Sequence, residues 1–283
     1  MKRRPDACGA AAGQASPDTM SESPEPFLHR DGDVYTPTLQ ANGWWRPTGN
    51  LHARVVIGLF AQVIDQQHGE PGFQPARLTA DLYRLPDLSP ITVATRIVRQ
   101  GGRIKVVEGE LFSGGVSSAR ASCQLLRRGQ QPESPVWSPA PWNAPPPEQV
   151  PPPPEHFTEK WEMRPILPAG VVVENGLRAP GPRRTWLREV RPLVGGEPYT
   201  PFSRVATGVD YTSPIANGSE SGLDFINSDV TLYLHRAPVS EWIGYEVTDH
   251  QSAEGVALGH CRLHDIEGPI GFSSCAALAQ NRR

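Results

Sequence analysis

The histidines and carboxylates are the side chains of this chain that could transfer protons, and their spacing limits which of them can act together. Asp229 and His235 fall on one face of a predicted strand, six residues apart. A strand rises ~3.3 Å per residue, so about 20 Å separates them and no Asp–His pair forms along this strand. His260 and His264 share a face roughly 13 Å apart, which is too far for one shared metal ion. Since no other His/Cys cluster has ligand spacing, the sequence predicts no metal site.

The four cysteines show no C-x-x-C spacing. Cys123, Cys261 and Cys275 fall in predicted strands, whereas Cys8 lies near the start of the chain. We interpret them as reduced core thiols of a cytoplasmic protein, with one disulfide between strands as the alternative. The sequence contains no Gly-x-Ser-x-Gly motif, which disfavours a serine hydrolase of the α/β type, and it contains no motif that predicts a cofactor.

One histidine stands where a helix is predicted to begin. From Asn50 to Gln66 the sequence NLHARVVIGLFAQVIDQ places apolar residues along one helical stripe, with Asn50 as the predicted N-cap and Gly69 as the stop signal. The free N–H groups of a first helical turn can hold an anion or a carbonyl oxygen. His52 would then contact a ligand, or it would be a surface-exposed histidine of the first turn.

Two glycine pairs divide a run of β-branched residues into three strands. We predict hairpin turns at Gly101-Gly102 and Gly114-Gly115, because both central positions of such a turn need positive φ. No helix follows either pair, so neither is a phosphate-binding loop. A similar layout of strands returns in the second half of the chain. The predicted strands are Val93–Arg99, Arg103–Phe112 and Ser118–Leu126, then Asp229–His235, Trp242–Asp249, Gly255–Leu263 and Ile270–Ala276.

Each run of strands follows a segment that can form one helix. The chain is therefore predicted to be an α+β protein that builds one helix and a curled antiparallel sheet twice. In the second half the segment GEPYTPFSRVATGVDYTSPIANG is expected to hold a helix at 199–210. Pro198 or Pro201 fits a first helical turn, and Pro214 is expected to end the helix. Asp210 ends the predicted helix, where it either does chemistry or caps a local turn.

Proline-rich and apolar-poor stretches divide the chain of 283 residues. Residues 1–25 are predicted to be a disordered tail, with Met20 as an alternative start. Residues 26–129 then form the first repeat, 130–155 a Pro-rich linker, and 156–283 the second repeat. The alternative is a single domain in which the Pro-rich stretch is a long surface loop.

Charge and hydropathy disfavour two classes of partner. The formal net charge of −3 gives no electrostatic attraction to nucleic acid or to an anionic membrane. No apolar run approaches the ~18 residues that span a bilayer, and the first residues lack the apolar core of a secretory signal. We therefore expect a cytoplasmic protein with no nucleic-acid partner and no membrane span.

The segment NSDVTLYLHRAPVSEWIGYEV resembles the second half of the bacterial acyl-CoA thioesterase II family, the double-hotdog thioesterases. That family carries an aspartate, an alternating strand, His-Arg-x-Pro and Glu-Trp, which here are Asp229, His235-Arg236, Pro238 and Glu241-Trp242. The strand, the Pro-containing break and the Gly-Gly hairpin of the first half agree with the family as well. The resemblance implies a double hotdog, with two repeats that each wrap an antiparallel β-sheet around a long helix.

The resemblance also implies a site. In that family an aspartate, a threonine and a glutamine hold the water that attacks the thioester. Matched position by position, the aspartate is Asp210, the threonine is replaced by Asn227, and the glutamine position falls at Ala276, give or take one residue. Asp210 and Asn227 are therefore the implied catalytic residues, and burial is expected to raise the pKa of Asp210. Asn227 can still orient water, or it is a polar group that ends a strand, whereas alanine cannot bind water.

The implied activity is hydrolysis of a fatty acyl-CoA to free fatty acid and CoA by a homo-oligomer of this chain. The implied substrate-binding residues are Asn50, His52, His235 and Arg236; the last two either meet a CoA phosphate or shape the fold. The alternative function is a non-hydrolytic acyl-CoA or acyl-carrier binding protein that has lost the glutamine. A hotdog dehydratase needs an aspartate and a histidine close together. It is disfavoured because GVDYTSPIAN contains no histidine.

Overall fold

A computed structural model describes residues 24–43, 49–152, 160–167, 181–219 and 222–280. The predicted disordered tail lies almost wholly outside these residues. So does the end of the predicted linker.

The described residues form fifteen strands. Those of the first half are β1 (Leu28–Asp31), β2 (Val34–Pro37), β3 (Phe73–Asp81), β4 (Ile91–Gln100), β5 (Ile104–Ser113) and β6 (Val116–Arg127). Those of the second half are β7 (Trp161–Pro165), β8 (Arg184–Glu189), β9 (Gly218–Ser219), β10 (Gly222–Leu223), β11 (Phe225–Asn227), β12 (Asp229–Leu234), β13 (Ile243–Ala253), β14 (Val256–Asp265) and β15 (Gly268–Ala279). Strands β9 and β10 pair only with each other, and the other thirteen form one sheet.

The two halves of the large sheet have the same strand order. Counted outward from the middle of the sheet, the first half runs β3-β6-β5-β4-β2-β1 and the second half runs β12-β15-β14-β13-β8-β7. The halves join where β3 pairs antiparallel with β12. Thr79 and Thr231 face each other at this junction and their hydroxyls lie 3.1 Å apart. The two halves thus repeat one order of strands and belong to one continuous sheet.

The helix of the first half is α1 (Ala53–His68), which lies on the inner face of the sheet and is buried along most of its length. It ends at Gly69, as predicted, but its N-cap is His52 rather than Asn50. His52 Nδ1 takes the capping position 3.3 Å from the N–H of Arg54. Asn50 is instead held in an extended bridge to Asp87.

The helix of the second half is longer than predicted and is not continuous. It consists of α2 (Pro201–Gly208), a 3₁₀ turn at Val209–Tyr211 and α3 (Thr212–Asn217). Thr200 and Ser203 form a capping box with Pro201 in the first turn, as expected for a proline there. The prediction that Pro214 ends the helix is wrong, because the 3₁₀ turn starts a new first turn in which the N–H of a proline is not needed. A single long helix therefore occurs only in the first half.

The helices of the two halves pack against each other within one core. Their closest approach is at Gly58 of α1, where a Cβ would collide with the hydroxyl of Thr207 on α2. A glycine is therefore required at this crossing for the two helices to approach this closely. The close approach matters for the site because it brings the start of α1 beside the 3₁₀ turn of the second half.

The two glycine hairpins differ in backbone conformation. Gly114 and Gly115 have φ of 55° and 81°, as the hairpin prediction requires. Gly101 and Gly102 are not in the left-handed region, and their turn closes through the bond from the Gly101 N–H to the Ile104 carbonyl. Both pairs still connect adjacent antiparallel strands, so the predicted meander is correct even where the turn chemistry is different.

The later part of the Pro-rich segment, residues 142–150, packs onto the second half. The Trp142 ring stacks on His264 at 4.2 Å and meets Trp186 at 4.9 Å, and Gly244 leaves the room for it. Trp186 Nε1 donates to the carbonyl of Pro145, 2.9 Å away. A 3₁₀ turn follows at Pro147–Gln149. Residues 142–150 therefore form a packed strap, because their apolar side chains have surface to bury, whereas Val136 and Trp137 before them are exposed.

Candidate active site

Three polar side chains from three separate elements meet where the two halves of the chain pack together. Asp210 lies on the 3₁₀ turn that interrupts the second helix. Asn227, the last residue of β11, donates from Nδ2 to Asp210 Oδ1 over 3.1 Å. His52, the N-cap of α1, places Nδ1 3.3 Å from Asp210 Oδ2. The two predicted catalytic residues are therefore adjacent, and a predicted substrate-binding residue joins them.

The site is buried. The Asp210 and His52 side chains are 9% and 12% exposed. His52 is thus not the exposed first-turn histidine that the sequence left open. Strand pairing and the helix crossing place the groups together, since Asp210 and Asn227 belong to the second half and His52 belongs to the first.

The electrostatics of Asp210 differ from the expectation. Burial alone would raise its pKa, but the hydrogen bond from His52, the positive charge that His52 carries when protonated, and the hydrogen bond from Asn227 outweigh burial. The pKa of Asp210 therefore lies below its ordinary value. Burial lowers the pKa of His52, and Asp210 opposes this only in part. The pair at neutral pH is therefore an ionised carboxylate beside a neutral imidazole.

Nδ1 of His52 is shared between two neighbours. It accepts the capping hydrogen bond from the N–H of Arg54 over 3.3 Å, and Asp210 Oδ2 lies 3.3 Å from the same nitrogen. A bond to the carboxylate needs a proton on Nδ1, because a carboxylate only accepts, whereas the cap needs the Nδ1 lone pair. One ring nitrogen therefore serves the carboxylate in one tautomer and the helix cap in the other.

Three residues that sequence reasoning missed lie behind this pair. Arg54 forms a buried ion pair with Glu189 and stacks on Trp161. Trp161 also meets the edge of the His52 ring. A local signal pointed to Arg54, since a charged residue inside the apolar stripe of a buried helix must find a partner. Nothing local pointed to Glu189, which is 135 residues away in sequence.

The position matched to the family glutamine, Ala276 give or take one residue, includes residues on both faces of the sheet. Ala277 is the direct partner of Asn227 on β11, so the two side chains leave the sheet on the same, inner face. Ala276 points to the outer face, where it borders a depression with Asp229 and His260. Its main-chain N–H donates to Asp229 Oδ1 at 2.8 Å. Ala277 is therefore the residue that lies beside Asn227 on the inner face, and it too lacks a polar group.

Two of the other predicted binding residues, His235 and Arg236, lie at the far end of β12 from this site. Arg236 makes a two-pronged ion pair with Asp265 at 2.6 Å for each bond, and also donates to the Gly268 carbonyl. His235 follows β12, roughly 20 Å along the strand from Asp229. Asn50 lies two residues before the His52 cap. Arg236 thus has a clear structural role, and the substrate contacts assigned to all three stay predictions.

Within the ranges listed above, no three His, Cys, Asp or Glu side chains lie close enough together to hold a metal ion. His264 is buried against Trp142 and lies 3.3 Å from Glu246, and burial lowers its pKa to about 4. Cys123, Cys261 and Cys275 are free and buried, as predicted for core thiols. Considering the described helices alone, none is long and apolar enough to cross a bilayer.

Two family models match the sequence and together cover most of it. The acyl-CoA thioesterase N-terminal domain matches residues 41–126, and the acyl-CoA thioesterase C-terminal domain matches residues 138–276. The second match includes Asp210, Asn227 and most of β15. No curated protein matches the sequence.

Solved structures of low sequence identity share the fold. A provisionally assigned thioesterase from Novosphingobium aromaticivorans is 21% identical with a TM-score of 0.69, covering 91% of this chain and 100% of that one. The acyl-CoA thioesterase II TesB2 from Mycobacterium marinum is 17% identical with a TM-score of 0.61, covering 89% and 95%. A hot dog fold protein of unknown function from Alicyclobacillus acidocaldarius is 14% identical with a TM-score of 0.65, covering 90% and 96%. These likenesses establish a hotdog-type fold and nothing beyond it.

Proposed function

The chain belongs to the acyl-CoA thioesterase family, and from that premise we propose that it hydrolyses a fatty acyl-CoA to the free fatty acid and CoA. The observation that carries the proposal is the contact of Asp210 with both Asn227 and His52 in a buried site. Such a carboxylate and imidazole can bind a water molecule and take a proton from it.

The proposed reaction is attack by water on the thioester carbonyl carbon. The pair formed by Asp210 and His52 takes one proton from the water as the C–O bond forms. The C–S bond then breaks, and the CoA sulfur leaves with that proton as a thiol. Asn227 already donates to Asp210, so its amide oxygen is left to hold the water. No group other than water and the thioester is consumed.

The test is release of free thiol from a panel of acyl-CoAs of increasing chain length. We expect Asp210→Asn to keep the fold, because the change is nearly isosteric, and to lower kcat by about 10²- to 10⁴-fold. The matched control is Asp81→Asn, the same change on an exposed aspartate at the end of β3. Full activity in Asp210→Asn would show that the site assignment is wrong.

The alternative is a binding protein that holds acyl-CoA without hydrolysing it. The alanines at positions 276 and 277 support it, because the side chain facing Asn227 provides no hydrogen bond. Calorimetric binding of a long-chain acyl-CoA together with no thiol release in the wild type would favour this alternative over hydrolysis.

One observation supports a second activity, that of a dehydratase, which the sequence disfavoured. The sequence disfavoured it because no histidine lies near Asp210 in the chain, yet the fold brings His52 within 3.3 Å of it. An aspartate and a histidine that hold one water could add it to the double bond of a 2-enoyl-CoA instead of to the carbonyl. A decrease in enoyl absorbance without thiol release would identify this activity in the same panel.

We further propose a cytoplasmic location and a role in fatty acid metabolism. Three free buried thiols support a reducing compartment. The predicted two-repeat organisation, with the Pro-rich segment between 26–129 and 156–283, stays part of this proposal, as do the ligand contacts predicted for Asn50, His235 and Arg236.

A further inference from the structure

A buried ion pair lies behind the His52–Asp210 pair and connects the two halves of the chain. Arg54, in the first turn of α1, pairs with Glu189, the last residue of β8. Their side chains are 4% and 1% exposed. Removing two charges from water is costly, and an apolar pair of similar volume is often as stable or more stable. Stability alone therefore does not account for charges at this position.

Trp161 links this ion pair to His52. Trp161 and Glu189 are direct partners on β7 and β8, so both side chains leave the sheet on the face that meets the helices. The Arg54 guanidinium lies 3.9 Å from the Trp161 ring centre, which is a close cation–π contact. The His52 ring meets the same indole edge-on at 5.8 Å. Arg54 is thus held on two sides, and the indole that holds it also supports His52.

We propose that Arg54 is a positioning residue for the reaction: held by Glu189 and Trp161, it keeps His52 against Asp210 and places a permanent positive charge behind them. The catalytic consequence rests on the proposed function. The effect of the Arg54 charge on the pKa of His52 is independent of the proposed function, because it can be measured in the absence of turnover. Arg54 acts through its neighbours and is not itself assigned a contact with substrate.

The charges around His52 predict shifts of its pKa in opposite directions for two variants. The ionisable groups that face His52 are Asp210, Arg54 and Lys160. Burial lowers the pKa of His52 most, Asp210 raises it, and Arg54 and Lys160 lower it. Removing Arg54 should therefore raise the His52 pKa. Neutralising Glu189 alone leaves the Arg54 charge without its partner and should lower it further.

The experiment uses the full chain labelled in histidine and follows the His52 side chain by NMR across pH, with His52→Gln to assign the signal. The first variant is the double change Arg54→Met with Glu189→Leu, which leaves no unpaired buried charge. The second is Glu189→Gln. The matched control is Arg164→Met, since Arg164 pairs with Glu162 and stacks on Trp242 but lies on the other face of β7. The pH profile of kcat/KM for thiol release is recorded for each protein.

In the double variant we expect the His52 titration to rise by about half a pH unit or more. We also expect kcat/KM to fall about tenfold or more, with its acid limb displaced the same way. Glu189→Gln should shift the titration downward, and Arg164→Met should change neither readout. An unchanged titration in the folded double variant overturns the proposal. If the double variant does not fold, an unchanged or upward shift in Glu189→Gln overturns it. The expected shifts in a protein that releases no thiol would refute hydrolysis while upholding the role of Arg54.

Discussion

At the residue scale, a one-residue difference in strand register decides which side chain on β15 can assist Asp210. Ala277 faces Asn227 on the inner side, whereas Ala276 faces outward. A glutamine at the inner position can donate to a water held by Asp210 and Asn227, as the resemblance implies for the family. Adjacent alanines on opposite faces therefore provide a matched pair of substitutions.

We expect Ala277→Gln to raise the rate of thioester hydrolysis by about tenfold, since one positioned hydrogen bond in a buried site contributes on the order of 1.5 kcal/mol. Thiol release measures it, and thermal unfolding reports the strain of the larger side chain in a position that is 4% exposed. Ala276→Gln should leave the rate unchanged. A higher rate in Ala276→Gln with no change in Ala277→Gln would mean that the inner face has been assigned to the wrong residues.

The pH dependence follows from the charge states of the pair. The pKa of Asp210 lies below its ordinary value, and burial holds that of His52 below the ordinary 6.5. Activity needs the carboxylate ionised and the imidazole neutral, so it is present above both pKa values and is lost as the pH falls through them. We expect kcat/KM to be independent of pH above neutrality and to decline only on the acid side, with the midpoint of that decline below pH 6.5. An acid limb centred at or above pH 6.5 in the wild type would contradict these assignments.

At the scale of elements, the interruption of the second helix positions the chemistry. A continuous helix such as α1 satisfies its main chain internally, whereas the 3₁₀ turn at Val209–Tyr211 breaks the regular spacing and holds Asp210 at the break. The same break allows Pro214 to occupy a first turn. The helix of the first half carries no such break and contributes its capped N-terminus instead.

The crossing of α1 and α2 provides a stability test at this scale. In most helices Gly→Ala is favourable, but a Cβ at Gly58 would collide with the Thr207 hydroxyl. We expect Gly58→Ala to lower the free energy of unfolding by about 1–3 kcal/mol, as overpacking does, in denaturant titrations. Gly102→Ala is the control, because no atom lies within 4 Å of its Cβ position and the change should fall within about 0.5 kcal/mol. Equal stabilities of the two variants would mean that the helices are not in close contact here.

At the scale of the whole molecule, the two halves differ, within the residues that the structure describes, at the position that carries Asp210. Asp210 lies ten residues after the N-cap Thr200, and the residue ten after the N-cap His52 is Gln62. Gln62 is buried and donates to Glu197 Oε2 at 2.6 Å, so its amide serves a structural contact between the halves. The two positions therefore carry different groups: Asp210 is a carboxylate beside His52, and Gln62 is an amide that holds Glu197.

The outer face of the sheet exposes apolar side chains through which copies of the chain can associate. On the second half it exposes Leu258 and the stacked rings of Tyr233 and Phe272, whose centres are 4.8 Å apart. We expect a dimer or tetramer of the whole chain, because exposed apolar side chains on a sheet face favour association. Light scattering over a range of concentrations measures it, with Phe272→Lys expected to reduce the mass. Leu39→Lys changes an exposed leucine away from the large sheet and should not. A strict monomer at all concentrations would contradict the expectation.

The sequence by itself determined the repeating elements and part of the site. The period of α1, its stop at Gly69, the meander around its glycine pairs and the second set of strands follow from local patterns, because periodicity and turn chemistry act over a few residues. The family resemblance pointed to Asp210 and Asn227, which the structure places in contact.

Only the tertiary structure decided which distant groups meet them. The approach of His52 to Asp210, the pairing of Arg54 with Glu189 and the inward direction of Ala277 depend on the β3–β12 junction, the helix crossing at Gly58 and the register of β11 on β15. No local pattern encodes these features, since each arises from contacts between segments far apart in the chain. The same long-range contacts supply hydrogen bonds and positive field that outweigh burial and hold the pKa of Asp210 low, where sequence reasoning expected it to be raised.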